Sequence, residues 1–365
     1  MLLGTPGATA PLVTVTEELV TKADRHWVAP LLAHVVTARG ASVAVTPSAA
    51  RQLRHQLCYE ASIEAVTRGE VMRLLDACAE RGVTVLLVKG AALAYTHYPA
   101  PYLRPRLDTD VLVRREDRRL VADVLRSLDY REAQAVTGTQ ISQQMQYWRQ
   151  LNAGVRHAFD VHWQIVNPHV FSDLLTFEEL DATADALPAL GSHARTPNPV
   201  HALLVSALHQ LAHHERELDL LWLYDVHRIS EALTDTQWRH AIALADDRRL
   251  STVCANLVRT AHDLFATALP PAAVSWIAAQ RATLLPPEFR SFGRPGRRIL
   301  DVFLSDFIST RNWRARTRLL REHLLPPRSY MRALYQTEQT WAIPALYLHR
   351  ILTGCPRWFR RGLYR

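Results

Sequence analysis

Lysine is nearly missing from this sequence: only Lys22 and Lys89 occur among 43 basic residues, so arginine supplies the other 41. Cysteine is scarce too. Cys58, Cys78, Cys254 and Cys355 show no C-x-x-C spacing, which argues against a zinc knuckle and against a disulfide framework. A reducing cytoplasm is therefore the expected setting. No apolar run approaches the roughly 18 residues that span a bilayer, and Met1-Leu2-Leu3-Gly4 lacks a basic, then apolar, leader, so no signal peptide is expected. Proline and glycine, at 20 and 13, stay ordinary and exclude collagen-like or low-complexity architectures. What remains is a soluble, core-forming chain of 365 residues, 48% apolar, long enough for roughly two domains.

Acidic residues are sparse in one place. Residues 286–365 hold 16 arginines against five acids, net +11, which leaves −3 for the first 285 residues. Arg311, Arg314, Arg316, Arg318 and Arg321 surround Trp313, Leu319 and Leu320, and the end adds Arg357, Trp358, Phe359, Arg360, Arg361 and Arg365. Such a stretch is read in three ways: a solvated helical face packing its aromatics on the body, a surface for an anionic membrane or acidic protein, or a nucleic-acid site. No DNA- or RNA-binding motif accompanies it, so no sequence-specific nucleic acid is expected.

Periodicity gives the layout. Helices are expected over 14–38 and 48–81, the second with Leu53, Leu57, Ile63, Val66, Val71, Leu74, Leu75 and Cys78 on one face and Gly82 as its stop. Residues 83–88 form an apolar β-branched run of strand length. Lys89-Gly90 ends it, and a short helix over 91–98 halts at Pro99. Pro99, Pro101 and Pro105 make the next stretch an extended loop. A strand over 108–113, a helix over 116–128 and two strands within 143–165, turning at Asn152-Ala153-Gly154, follow. After a variable region at 167–197, Asn198-Pro199 starts helical pairs over 199–216 and 219–233. The expected organisation is an N-terminal helical segment (1–47), an α+β catalytic unit (48–180) and a helical domain with a basic tail (198–365).

The sharpest chemical signal is Asp108-Thr109-Asp110-Val111-Leu112-Val113. On a strand, i and i+2 share a face, which sets Asp108 and Asp110 side by side, roughly 7 Å apart at Cα. Paired carboxylates repel unless a cation joins them. Mg²⁺ is the natural one, bound by one or two carboxylates plus substrate phosphates, and two such ions can clamp a phosphoryl or nucleotidyl transfer. The pair Glu179/Asp181 has the same spacing but falls outside a strand. Asp160 opens a second strand-like run with His162 on its face, offering a third carboxylate. Lys89-Gly90-Ala91 lies at a strand-to-helix turn where a glycine lets phosphate approach the helix N-terminus, although it is not a Walker A sequence.

The order Lys89-Gly90-Ala91, helix, Arg104-Pro105, Asp108-Thr109-Asp110, strand, then Asp160-Val161-His162-Trp163 resembles the nucleotidyltransferase fold of the DNA polymerase β superfamily. More narrowly it resembles the superfamily's bacterial branch of uncharacterised nucleotidyltransferases, over roughly residues 50–230. The resemblance implies a mixed sheet flanked by helices, followed by a helical domain. It implies Asp108, Asp110 and Asp160 as ligands of two Mg²⁺ ions, Gly90 as the phosphate-loop glycine, and transfer of NMP from an NTP, ATP by default, to a hydroxyl. The acceptor is expected to be a small molecule or natural product. Gly90-Ala91 replaces the usual Gly-Gly or Gly-Ser and removes a phosphate-binding hydroxyl, and the loop from Gly90 to Asp108 is longer than usual.

Other residues keep two readings. Lys89 neutralises triphosphate charge or is a strand-end surface lysine. Arg104 and Arg106 hold the β/γ-phosphates or pair with the acidic pair itself. His209 and His213, i and i+4 on a helix, line the cleft, bind metal or serve the core, with Asp225 as a partner for one of the rings. Trp163 and Trp222 stack a base or pack. A rival to catalysis is a nucleotide-binding scaffold acting through its basic tail at a membrane or partner enzyme.

Overall fold

Alternation along neighbouring strands decides what each side of the sheet presents. The computed structural model describes residues 14–133, 142–151, 154–213, 219–281, 283–293, 296–310 and 312–360. In chain order come α1 (Glu17–Arg25), α2 (Ala29–Arg39), the 33-residue α3 (Pro47–Ala79), β1 (Leu86–Leu87), α4 (Lys89–Thr96), β2 (Thr109–Leu112), α5 (Arg118–Ser127) and β3 (Arg131–Glu132). The sheet is completed by β4 (Gln144–Gln150) and β5 (Arg156–His162), then, after α6 (Phe177–Ala182), by β6 (Asp185–Ala186) and β7 (Arg195–Thr196). The chain continues through α7 (Pro199–His213), α8 (Leu220–Ala232), α9 (Asp235–Asp247), α10 (Ser251–Phe265) and α11 (Pro271–Ala279). Beyond them lie α12 (Ile299–Ser309), α13 (Trp313–Leu324), α14 (Arg328–Tyr335) and α15 (Ile343–Phe359). A single mixed sheet, ordered β3-β4-β5-β2-β1-β7-β6, is flanked by helices and followed by a helical region. This is the expected α+β arrangement.

β2 and β5 run parallel, with Asp110 opposite Asp160 and Leu112 opposite His162. β4 pairs antiparallel with β5 and sets Gln144 against His162 and Gln146 against Asp160. One face of these strands is therefore polar around the carboxylates. The alternate residues Val111, Val113, Tyr147, Phe159 and Val161 point the other way, into a core closed by Val71, Leu74, Leu75 and Cys78 of α3 and Val121, Val124 and Leu125 of α5. Each of these large apolar side chains stabilises the fold by about 1.5–3 kcal/mol on burial, so the register is strongly fixed: a one-residue slip would bury the aspartates and expose the core. On the carboxylate side, Leu86 and Leu112 join a larger core that runs from Val15 to Val302 and includes the helices α7, α8 and α10.

α3 starts on Thr46, whose side chain accepts from Ala49 N, with Pro47 at the first helical position, and ends before Gly82 at φ 70. The helix expected over 14–38 is two helices. Trp27 takes φ 58 between them, and Pro30 near the start of α2 cannot continue the earlier helix. The strand expected over 83–88 pairs only at Leu86 and Leu87, against Leu112 and Val111. The region at 167–197 supplies α6, β6 and β7, elements too short for periodicity to reveal. Of the expected turn, Asn152 and Ala153 lie outside the described residues, and the chain is described again from Gly154, at φ 78.

Candidate active site

The turn from β1 into α4 brings the first cation to the sheet. Val88 caps α4 without a side-chain acceptor, which leaves the helix's N-terminal N–H groups open to an anion. Lys89 holds φ 52, a left-handed conformation that costs a lysine on the order of 1 kcal/mol. Its side chain reaches over β2, with Nζ 2.9 Å from Asp110 Oδ1 and 3.2 Å from His162 Nε2. Gly90 has a steric reason to be glycine: a Cβ there would lie 2.6 Å from Arg104 Cζ and closer still to Nη1.

Around Lys89 the sheet register assembles an acidic cluster. His162 Nε2 lies 2.8 Å from Asp110 Oδ1 and 3.6 Å from Asp160 Oδ2. Gln144 Nε2 donates to Asp160 Oδ2 at 2.8 Å. Asp160 Oδ1 and His162 Nδ1 are buried with no hydrogen-bond partner among the described residues. Burial works against ionisation of Asp110, yet the Lys89 ammonium and the His162 contact hold its carboxyl well below the usual carboxylate range. Burial raises Asp160. Asp108, one residue before β2, is pushed up to about 7 by burial and by the charges of Asp110 and Asp160.

The arginines of the proline-rich loop are already engaged. Arg104 forks onto Asp225 of α8, Nε to Oδ1 at 2.9 Å and Nη2 to Oδ2 at 2.6 Å, and Tyr98 Oη donates to Oδ1 at 2.6 Å. Asp225 thus serves Arg104 and Tyr98, where the sequence suggested a histidine ring. Arg106 Nη1 sits 2.6 Å from Glu64 Oε2 of α3, and Tyr95 Oη donates to the same glutamate. Neither arginine pairs with Asp108 or Asp110. Both still line one cavity of about 480 Å³ together with Lys89, Gly90, Asp108, Asp110, Asp160 and Asp225, a volume typical of small-molecule sites.

The remaining expected residues divide. His209 lines the cavity and meets Trp222 edge to face at 6.0 Å. His213 ends α7, and its side chain lies outside the described residues. Ala91 is buried under the cluster's strand. Trp163 is held away from the cavity lining by Arg118 over its ring and by its bond to Gln143. Sequence reading missed Gln144, Glu64 and Trp27, which also lines the cavity. Gln144 becomes visible only once the β4–β5 register is known; Trp27 carries no signal in a helical pattern.

Asp110, Asp160 and His162 each place a ligand atom within 4.8 Å of the others. Two carboxylates suit a hard divalent ion, and the orphaned Asp160 Oδ1 is an atom such an ion would satisfy. The residues fit a metal, although Lys89 Nζ already neutralises Asp110 and would have to share it.

A search of curated proteins finds no match to the chain. A family model described as uncharacterised nucleotidyltransferase matches residues 15–266, more than half of the chain and the whole span of the cavity's lining. The chain belongs to the uncharacterised nucleotidyltransferase family, and nucleotidyl transfer is the general chemistry that membership assigns to it.

Proposed function

We propose that this cavity transfers an NMP group from a nucleoside triphosphate, ATP by default, to the hydroxyl of a small-molecule or natural-product acceptor, releasing pyrophosphate. The observation that carries the reading is the parallel β2–β5 register. It sets Asp110 beside Asp160 with His162 and Lys89 over them and leaves one carboxylate oxygen unsatisfied. Asp108, Asp110 and Asp160 would hold Mg²⁺, which supplies charge neutralisation for phosphate and leaving group when bound.

The chain's own residues do the rest. The open N-terminus of α4 at Gly90 and Ala91 binds phosphate oxygens, and Lys89 offsets their charge. The acceptor oxygen attacks the α-phosphorus while the bond to the bridging β-phosphate oxygen breaks, and pyrophosphate leaves with that electron pair. The acceptor proton passes to Asp160, whose burial makes it a better proton acceptor than an exposed carboxylate. Arg104 and Arg106, fixed by Asp225 and Glu64, present the remaining guanidinium edges to the phosphates.

Pyrophosphate release over a panel of hydroxyl acceptors tests this reading: activity in the wild type and none in Asp110→Asn supports it, and equal turnover in both sinks it. One observation favours a second reading, a nucleotide-binding protein without turnover. Lys89 Nζ sits against Asp110 and His162, where a metal would bind, and Ala91 lacks a hydroxyl. Nucleotide binding by calorimetry without pyrophosphate release from any acceptor would favour it.

A further inference from the structure

Helices α12–α15 form a unit with its own interior. Phe303 packs at a tilt against His323 at 4.9 Å and Trp358 at 5.3 Å, and Arg350 Nη1 donates to His323 O at 2.8 Å. Apolar residues that remain exposed after that packing are therefore surplus to the unit's core. Trp341 is 79% exposed, Ile308 71%, Trp313 66%, Leu352 64%, Phe359 61% and Leu348 59%.

The surplus is ordered. At 3.6 residues per turn, Leu348, Leu352 and Phe359 fall on one stripe of α15, and Trp313 and Leu320 fall on one stripe of α13. Arg314 and Arg321 lie beside the α13 stripe, Arg318 lies farther round the helix, and all three are exposed. Neither Arg314 nor Arg321 has an ion-pair partner among the described residues; Arg318 has only Glu322, at 3.9 Å. No helix among the described residues is long and apolar enough to cross a membrane. A helix with aromatic and leucine residues on one face and arginines beside them lies in the plane of a bilayer interface.

We propose that the exposed apolar stripes of α13 and α15, within residues 299–360, dock on an anionic lipid surface. Charge complementarity selects that occupant. Residues 299–360 carry ten arginines against four acids, net +6, which opposes a second copy of the same face and attracts anionic lipid, whereas the first 285 residues, net −3, supply no such attraction. The leucine and tryptophan stripes need an apolar medium, which a nucleic-acid backbone does not offer. The match to the nucleotidyltransferase family ends at residue 266, and no cavity-lining residue lies beyond Leu257. The docking face is thus separate from the proposed chemistry and stands without it.

Co-sedimentation of the full chain with vesicles tests the inference, using pure phosphatidylcholine against phosphatidylcholine carrying about a third phosphatidylglycerol. The expected result is binding to the anionic vesicles only. Leu348→Ser with Leu352→Ser and, separately, Arg314→Glu with Arg321→Glu should each weaken it at least about tenfold, while the melting temperature and nucleotide binding stay unchanged. Equal binding to both vesicles, binding to neither, or retention in both double variants would overturn it. Capture by polyglutamate without capture by vesicles would assign the face to an acidic protein and also overturn it. So would self-association that Leu352→Ser abolishes.

Discussion

Two cation–carboxylate pairs stand on the walls of one cavity and behave differently. Arg104 and Asp225 are 7% and 5% exposed and joined by two bonds, and Tyr98 adds a third to the carboxylate. Lys89 and Asp110 are each 14% exposed, share one short contact, and crowd His162 between them. Around the second pair Asp108 and Asp160 are both raised, and Asp160 keeps an unpartnered oxygen. A buried pair joined by two charge-assisted bonds acts as a clamp, here between the loop before β2 and helix α8. A pair with polar capacity left over is built to receive something.

Breaking the clamp should have the largest effect. Asp225→Ala leaves the Arg104 guanidinium buried without its charge partner and should cost about 3–5 kcal/mol. Chemical denaturation measures this, and replacing both partners by apolar residues should recover much of the loss. Breaking the other pair should do the converse. Asp110→Asn should lower transfer at least about a hundredfold, equivalent to ~2.7 kcal/mol at the barrier, with little change in the denaturation midpoint. Gly90→Ala couples the two. Its methyl would collide with the pinned Arg104 head, so stability should fall by about 1–3 kcal/mol, as for other overpacked sites, and nucleotide binding should weaken with it.

Smaller effects sharpen the contrast. Lys89→Gly should relieve the left-handed strain and leave stability level or up to about 1 kcal/mol higher, while nucleotide affinity drops; a stability loss would mean that Lys89 is a clamp as well. A buried carboxylate with no cation partner among the described residues gives the reference case. Asp306 accepts from His169 N at 2.7 Å, and burial pushes it up to about 7. Its native form holds the proton more tightly than the unfolded chain does. The burial penalty is therefore absent at acid pH, grows as pH rises through the interval from the ordinary carboxyl value to about 7, and is complete above it. Against Asp306→Asn, the wild type should gain melting temperature as pH is lowered from about 8 to about 5.

The clusters legible in the sequence were those built from local periodicity. Asp110, Asp160 and His162 declared themselves because each opens or follows an apolar strand run, so alternation fixed their face before any pairing was known. Lys89-Gly90 was readable from the strand-to-helix switch. The reason for Gly90 was not: the group that forbids a side chain there is Arg104, fourteen residues on, held by an aspartate 121 residues further. Likewise Arg106 gave no hint of Glu64, and Gln144 none of Asp160, because cross-strand and helix-to-loop contacts depend on register and packing. The break at Trp27 and the two-residue strands β6 and β7 escaped because tertiary context, not propensity, creates them.

The central claim is that the Asp110–Asp160–His162 cluster with Lys89 receives a metal-bound nucleotide. Calorimetric titration with a non-hydrolysable nucleoside triphosphate, in Mg²⁺ and in EDTA, tests it without knowledge of the acceptor. Wild-type binding should require Mg²⁺ and weaken at least about tenfold in Asp110→Asn, with both proteins melting alike. Equal affinity in the two proteins, or binding indifferent to Mg²⁺, would contradict the account.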